Sequence, residues 1–163
     1  MSMIGRSRVT PRRRGETINH VVAWLVAGAA TLVAWKAFSP ESTHADWHVT
    51  LDDGFDASTT SGRPMLVLYT ADWCPACKQL EAEVLEDPDV ADLLEQRFET
   101  VLIDLTDRAG PNTAVAQHYE VRSIPAVHVY DASGELVDDR IGVGRAAEYY
   151  AWLRKCASKS DRR

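Results

Sequence analysis

Two of the three cysteines in the chain, Cys74 and Cys77, stand three positions apart in the run Trp73-Cys74-Pro75-Ala76-Cys77. A C-x-x-C pair that follows a short apolar run and opens a helical pattern is in the right setting for thiol–disulfide chemistry. Cys74 falls at the N-cap of the predicted helix, and Pro75 at its first position, where a missing N–H costs nothing. Unpaired backbone N–H groups and the positive end of the helix dipole favour a thiolate at Cys74. Cys77, almost one turn further on, can attack a mixed disulfide at Cys74 and release its partner. The expected roles are an exposed nucleophile at Cys74 and a buried resolving thiol at Cys77. Half of a zinc site is the competing use of such a pair. Tetrahedral zinc wants four ligands, and His20, His44, His48, His118 and His128 show no ligand spacing. Neither a metal nor a cofactor is therefore expected.

A second stretch bears on the same chemistry. Pro125, in Arg122-Ser123-Ile124-Pro125, lies between a helical pattern and a strand pattern. It reads either as a proline at a strand edge or as a cis bond that exposes the backbone of Ile124 beside the cysteines. In the second case an extended peptide pairs there by strand addition. His128 sits between valines in a strand and reads as a core or supporting histidine. Cys156, on the last helical pattern, reads as a free thiol.

The elements that must position these residues alternate. Residues 64–70 (PMLVLYT) are nearly all apolar, as in a strand buried on both faces. After the cysteines, Leu80, Val84 and Leu85 share one helical face, opposite Lys78, Glu81 and Glu86. Asp87-Pro88 interrupts, and a second helical piece runs to about Arg97. Residues 99–105 read as a strand, 111–119 as a helix, 126–130 as a strand, 135–141 as its hairpin partner and 146–156 as a closing amphipathic helix. Residues 46–56 read as an edge element. The expected class is α/β: a mixed central sheet with helices on both faces.

Charge divides the chain. The net charge of −6 combines +5 over residues 1–40 with −11 over residues 41–163. The acidic body argues against nucleic acid as a partner. In the basic part, Arg6, Arg8, Arg12, Arg13 and Arg14 precede the uncharged run Val21–Trp35. The expectation is a basic cytoplasmic segment (1–17), one transmembrane signal anchor (18–38), a polar tether (39–46), a domain (47–157) and a polar tail (158–163). A cleaved signal peptide is the alternative. By the positive-inside rule everything after the apolar run is exported. That points to a single-pass protein of a bacterial inner membrane facing the periplasm, or to a soluble periplasmic one if the segment is cut.

The stretch Trp47–Trp152 resembles a thioredoxin domain: Ala71–Lys78 is similar to the active-site motif, Ile124-Pro125 to the cis-proline loop, and Gly142 to the glycine after the last strand. Ala71-Asp72-Trp73-Cys74-x-Ala76-Cys77-Lys78, with Glu81 and the Asp87-Pro88 break, most resembles the C-terminal periplasmic domain of DsbD-type thiol:disulfide interchange proteins. The resemblance implies a three-layer thioredoxin-like fold, a cis Pro125, and exchange with protein disulfide or dithiol substrates. It also implies substrate contact at Trp73, Ile124 and Pro125. Two departures stand out. Those domains carry a buried Asp where this chain has Leu68, which leaves Glu81 as the candidate proton-transfer group. They also belong to proteins with a multi-helix electron-carrying membrane domain, so this chain needs a separate membrane electron donor. Reduction of exported disulfides is the expected direction. An oxidase is the alternative, because strongly oxidising relatives share Pro75, although their following histidine is Ala76 here. A tethered metal- or peptide-binding module without exchange activity is the other.

Overall fold

The computed structural model describes residues 46–162. The expected basic segment, transmembrane anchor and all but the last residue of the tether lie outside them. Among the described residues no helix is long and apolar enough to cross a membrane.

The elements run α1 (Leu51–Ser61), β1 (Met65–Thr70), α2 (Pro75–Leu80), a π-helical stretch (Glu81–Leu85), α3 (Pro88–Arg97) and β2 (Glu99–Asp104). Then follow α4 (Pro111–His118), β3 (Ala126–Tyr130), β4 (Leu136–Ile141) and α5 (Ala146–Ser160). The sheet order is β2-β1-β3-β4, with β1 and β2 parallel and the other neighbours antiparallel. This is the mixed sheet read from the sequence. Because β1 is central, its side chains alternate between two cores. Leu66 and Leu68 join Leu80, Val84, Val90, Tyr149 and Leu153, under α2, α3 and α5. Met65, Val67 and Tyr69 join Leu51, Val101, Ala116 and Tyr130, under α1 and α4. Helices therefore cover both faces.

Residues 46–56 depart from the expectation of an edge element. Only His48 touches the sheet edge, through one parallel bridge to Val101, and a helix starts at Leu51. Its sequence, LDDGFDASTTS, has few large apolar residues, so local caps define it. The Thr50 hydroxyl accepts the Asp53 N–H at 3.1 Å. Gly62, at φ 72°, ends the helix by donating its N–H to Ser58 O at 2.8 Å. Gly54 lets α1 close on the sheet: a Cβ there would overlap Val101 Cγ2 and lie 2.8 Å from Met65 Sδ. At the other end, α5 continues past Cys156 to Ser160, where Arg97 pairs with Asp161 at 2.7 Å.

The residues between α2 and α3 follow the sequence closely. Asp87 caps α3 by accepting the Asp89 and Val90 N–H groups, and Pro88 takes the first helical position. His128 is buried, with Nδ1 3.1 Å from the Tyr130 hydroxyl and its ring edge-on to Tyr69. Burial pushes its pKa down, so it stays a neutral core residue.

Candidate active site

Cys74 is the N-cap of α2 with extended backbone (φ −101°, ψ 102°), and Pro75 follows at the first helical position. The Cys74 sulfur accepts the Cys77 N–H at 3.2 Å, and its carbonyl accepts the Cys77 and Lys78 N–H groups at 3.1 and 3.2 Å. The Cys77 N–H, one of the donors at this helix start, thus meets the Cys74 sulfur. The two cysteines form a disulfide, with Cα atoms 5.3 Å apart. Cys77 is fully buried, but Cys74 is only 6% exposed, less open than an exposed nucleophile suggests. The reason is packing: Ala71, Leu105 and Ile124 close around the pair.

The Ile124–Pro125 peptide bond is cis. Neither the N–H nor the C=O of Ile124 forms a hydrogen bond among the described residues. Gly142 braces this loop, donating its N–H to Pro125 O at 2.8 Å, and Tyr149 of α5 donates its hydroxyl to Gly142 O at 3.0 Å. Gly142 sits at φ 88°, a left-handed conformation that favours glycine. Trp73 is 46% exposed beside the cysteines, and Ile141 at the end of β4 and Val143 beyond it add exposed apolar surface.

Trp73 is held from β2's far end. Its Nε1 donates to Thr106 O at 3.1 Å, and the Asp72 N–H donates to Thr106 Oγ1 at 2.9 Å. Asp104 fixes Thr106 by accepting its N–H at 2.8 Å and its hydroxyl proton at 2.5 Å. The Arg108 guanidinium stacks on the Trp73 ring, 4.3 Å from its centroid. The sequence reading singled out none of Asp104, Thr106 and Arg108. The Asp-x-Thr spacing after a strand is the Asx-turn signal that would have marked this loop.

Leu68 is fully buried among Leu80, Val84 and their neighbours. Glu81 lies one helical turn after Cys77, on the same face. Its backbone N–H donates to Cys77 O, and its carboxylate accepts the Thr70 hydroxyl at 2.6 Å and lies 3.5 Å from Lys78 Nζ. Lys78 also reaches Asp72 at 3.1 Å, and that bond raises the lysine pKa. The π-helical register starting at Glu81, with Glu86 N–H donating to Glu81 O at 3.0 Å, fixes where this carboxylate leaves the helix. Cys156 is buried in the core under α5, far in sequence from the pair, and burial pushes its thiol up to about 11. Among the described residues no three His, Cys, Asp or Glu side chains gather as a metal site.

A model of the thioredoxin-like domain matches residues 51–157. The chain is 38% identical over 93 residues to the thiol:disulfide interchange protein DsbD of Haemophilus ducreyi, covering 56% of this chain and 16% of that protein. It is 34% identical over 100 residues to the protein of the same name from Tatumella citrea, covering 60% and 17%. The match thus spans about a sixth of these relatives' length. A thioredoxin from Thermus thermophilus superposes with a TM-score of 0.63 at 26% identity, over 70% of this chain and 88% of that one. The oxidised DsbD C-terminal domain of Neisseria meningitidis shares the fold at a TM-score of 0.56 and 23% identity, over 67% and 97%. Since the family match runs from α1 into α5 and takes in the whole sheet and the cysteine pair, the chain belongs to the thioredoxin-like domain family.

Proposed function

We propose that this domain is a thiol–disulfide oxidoreductase that reduces disulfides of exported proteins. The observation that carries the reading is the setting of the pair. Cys74 Sγ receives a backbone N–H at a helix start, Cys77 is buried behind it, and Ile124 offers unpaired backbone groups alongside. In the reduced enzyme the Cys74 thiolate attacks one sulfur of a substrate disulfide, and the other leaves as a thiolate. Cys77 then loses its proton and attacks Cys74 Sγ, displacing the second substrate thiolate, which takes up a proton. The substrate gains two electrons, with one proton supplied by Cys77 and one taken from solvent by the first thiolate, and the enzyme is left as the Cys74–Cys77 disulfide. Trp73, Ile124 and Pro125 form the platform on which the substrate strand lies.

Glu81 takes the Cys77 proton in the resolving step, because Leu68 removes the alternative carboxylate and Glu81 shares the helical face of Cys77. An electron donor in the membrane restores the dithiol. Residues 18–38 act as an uncleaved anchor that holds domain 47–157 in the periplasm, a reading supported by the arginines before the apolar run.

The test is the equilibrium reduction potential of the chain carrying Cys156→Ser, measured in defined thiol buffers. A value near about −270 mV supports the reductase, and one near about −120 mV makes the protein an oxidase. Cys77→Ser should trap mixed disulfides with exported proteins in cells. An absence of any reversible couple, with peptide binding intact in Cys74→Ser, would replace exchange by simple binding.

A further inference from the structure

Beside the platform lies a cavity of about 320 Å³ between the loop after β2, α4 and the loop before Pro125. Trp73, Leu105, Val121 and Ile124 give it an apolar lining, and Arg108 and Arg122 stand in its wall. It adjoins the cysteines directly, since Leu105 and Ile124 also pack against the Cys74–Cys77 cluster. Neither arginine is in an ion pair among the described residues. This is unexpected in a region with 12 cationic and 23 acidic residues, where a carboxylate partner should be easy to find.

The nearby carboxylates are engaged within their own loops. Asp104 holds Thr106, Asp107 accepts the Ala109 N–H at 2.9 Å, and Asp72 pairs with Lys78. Arg108 is also preorganised, with its guanidinium fixed over the Trp73 ring. A stacked guanidinium loses less freedom when it meets an anion.

We propose that this pocket selects target segments that carry a carboxylate close to the reactive cysteine, seating an apolar side chain in the cavity and the acid on Arg108 and Arg122. The proposal rests on the exchange reading and specifies its substrates. Because the pocket adjoins the pair, an extended peptide, advancing about 3.3 Å per residue, should carry the acid within a few residues of the cysteine. The remaining acidic surface repels anionic proteins generally, which makes the local positive pocket the discriminating feature.

The test uses disulfide-linked peptides identical except for two residues beside the cysteine, set as Glu, Gln or Lys, and reduced by the reduced enzyme. Exposed ion pairs act weakly, so kcat/KM should fall at least about fivefold from Glu to Lys, with Gln between, and the difference should shrink in high salt. Arg108→Gln with Arg122→Gln should level the series, and Arg108→Lys with Arg122→Lys should preserve its order. Equal rates across the series, or a preference for Lys, overturns the proposal while exchange stands. If no peptide is reduced, the exchange reading fails first. Binding of the same peptides with Ser for Cys, followed by Trp73 fluorescence, then decides the pocket's preference alone, and equal affinity for the Glu and Lys peptides overturns it.

Discussion

Glu81→Gln separates the chemical role of this carboxylate from its structural one. The substitution keeps the shape of the side chain and removes its charge. Glu81 accepts the Thr70 hydroxyl at 2.6 Å and lies 3.5 Å from Lys78 Nζ. An amide oxygen can still accept from Thr70, but the bond loses its charge assistance, a change of about 1 kcal/mol. The Lys78 contact contributes at most about 1 kcal/mol, because Lys78 is half-exposed and keeps Asp72 as a partner. The combined cost of up to about 2 kcal/mol leaves a domain of ordinary stability folded. A proton acceptor contributes roughly 10²–10⁴ to the step it serves. Resolution of a mixed disulfide should therefore slow by at least about 100-fold at neutral pH while the denaturation midpoint moves only slightly. The assay forms a mixed disulfide between Cys74 and a fluorescent thiol and follows its decay after rapid mixing. In the variant the rate should climb with pH as hydroxide replaces the missing acceptor. Decay within about threefold of the parent at every pH, with the small stability loss present, would refute the role and reduce Glu81 to part of the Lys78 network.

Gly54→Ala should destabilise the domain by about 1–3 kcal/mol despite alanine's better helix propensity. The new methyl overlaps Val101 Cγ2 and crowds Met65 Sδ, both fully buried, and a denaturant midpoint reports the loss. A neutral or stabilising result would show that α1 can lift from the sheet. The Cys156 thiol supplies a pH test. Its pKa is raised in the folded state, to about 11, because burial disfavours the thiolate. The unfolded chain, with a thiol pKa of about 8.5, gives up that proton earlier. Stability from this group is thus complete below about pH 8.5 and is lost as pH rises towards 11. Cys156→Ala should flatten the decline over that window relative to the parent, and parallel curves would reject the assignment.

How much of this was legible beforehand differs from element to element. β1 and β3 announced themselves because strands buried on both faces are nearly continuous apolar runs, and β2, at the sheet edge, by its central Val-Leu-Ile; all three lie where the sequence put them. The Cys74-Pro75 helix start and the Asp87-Pro88 cap were equally plain, since capping depends on two or three adjacent residues. α1 was missed because its apolar content is low, so residues 46–56 read as an edge element and Gly54 and Ser58 gave no helical signal. Both are explained only by partners distant in sequence or in the following turn: Val101 and Met65 for Gly54, and the Arg63 carbonyl for Ser58. The caps of α1 mark its ends, but contact with the sheet holds it in place, and local propensity does not carry that information.

The same distinction runs through the site. Chemistry that rests on neighbours in sequence was readable: the cysteine pair, its helix, and a proline before a strand. The supports are non-local. Thr106 clamps Asp72 and Trp73 from 33 or more positions away, and Tyr149 steadies the proline loop through Gly142. Arg108 on Trp73 belongs to the same class, and no spacing rule links the two residues. The reactive pair therefore follows from a local motif, whereas its surroundings follow from the tertiary fold. Leu68 buried under α2, Glu81 bonded to Thr70, and two arginines in the pocket beside Ile124 with no ion pair among the described residues are such features. The proposed exchange step rests on the Cys74–Cys77 pair and its helix start. On the proposed reading, partner choice and proton loss at Cys77 rest on these non-local residues, so substitutions there should alter rate and selectivity while leaving the Cys74–Cys77 couple able to form.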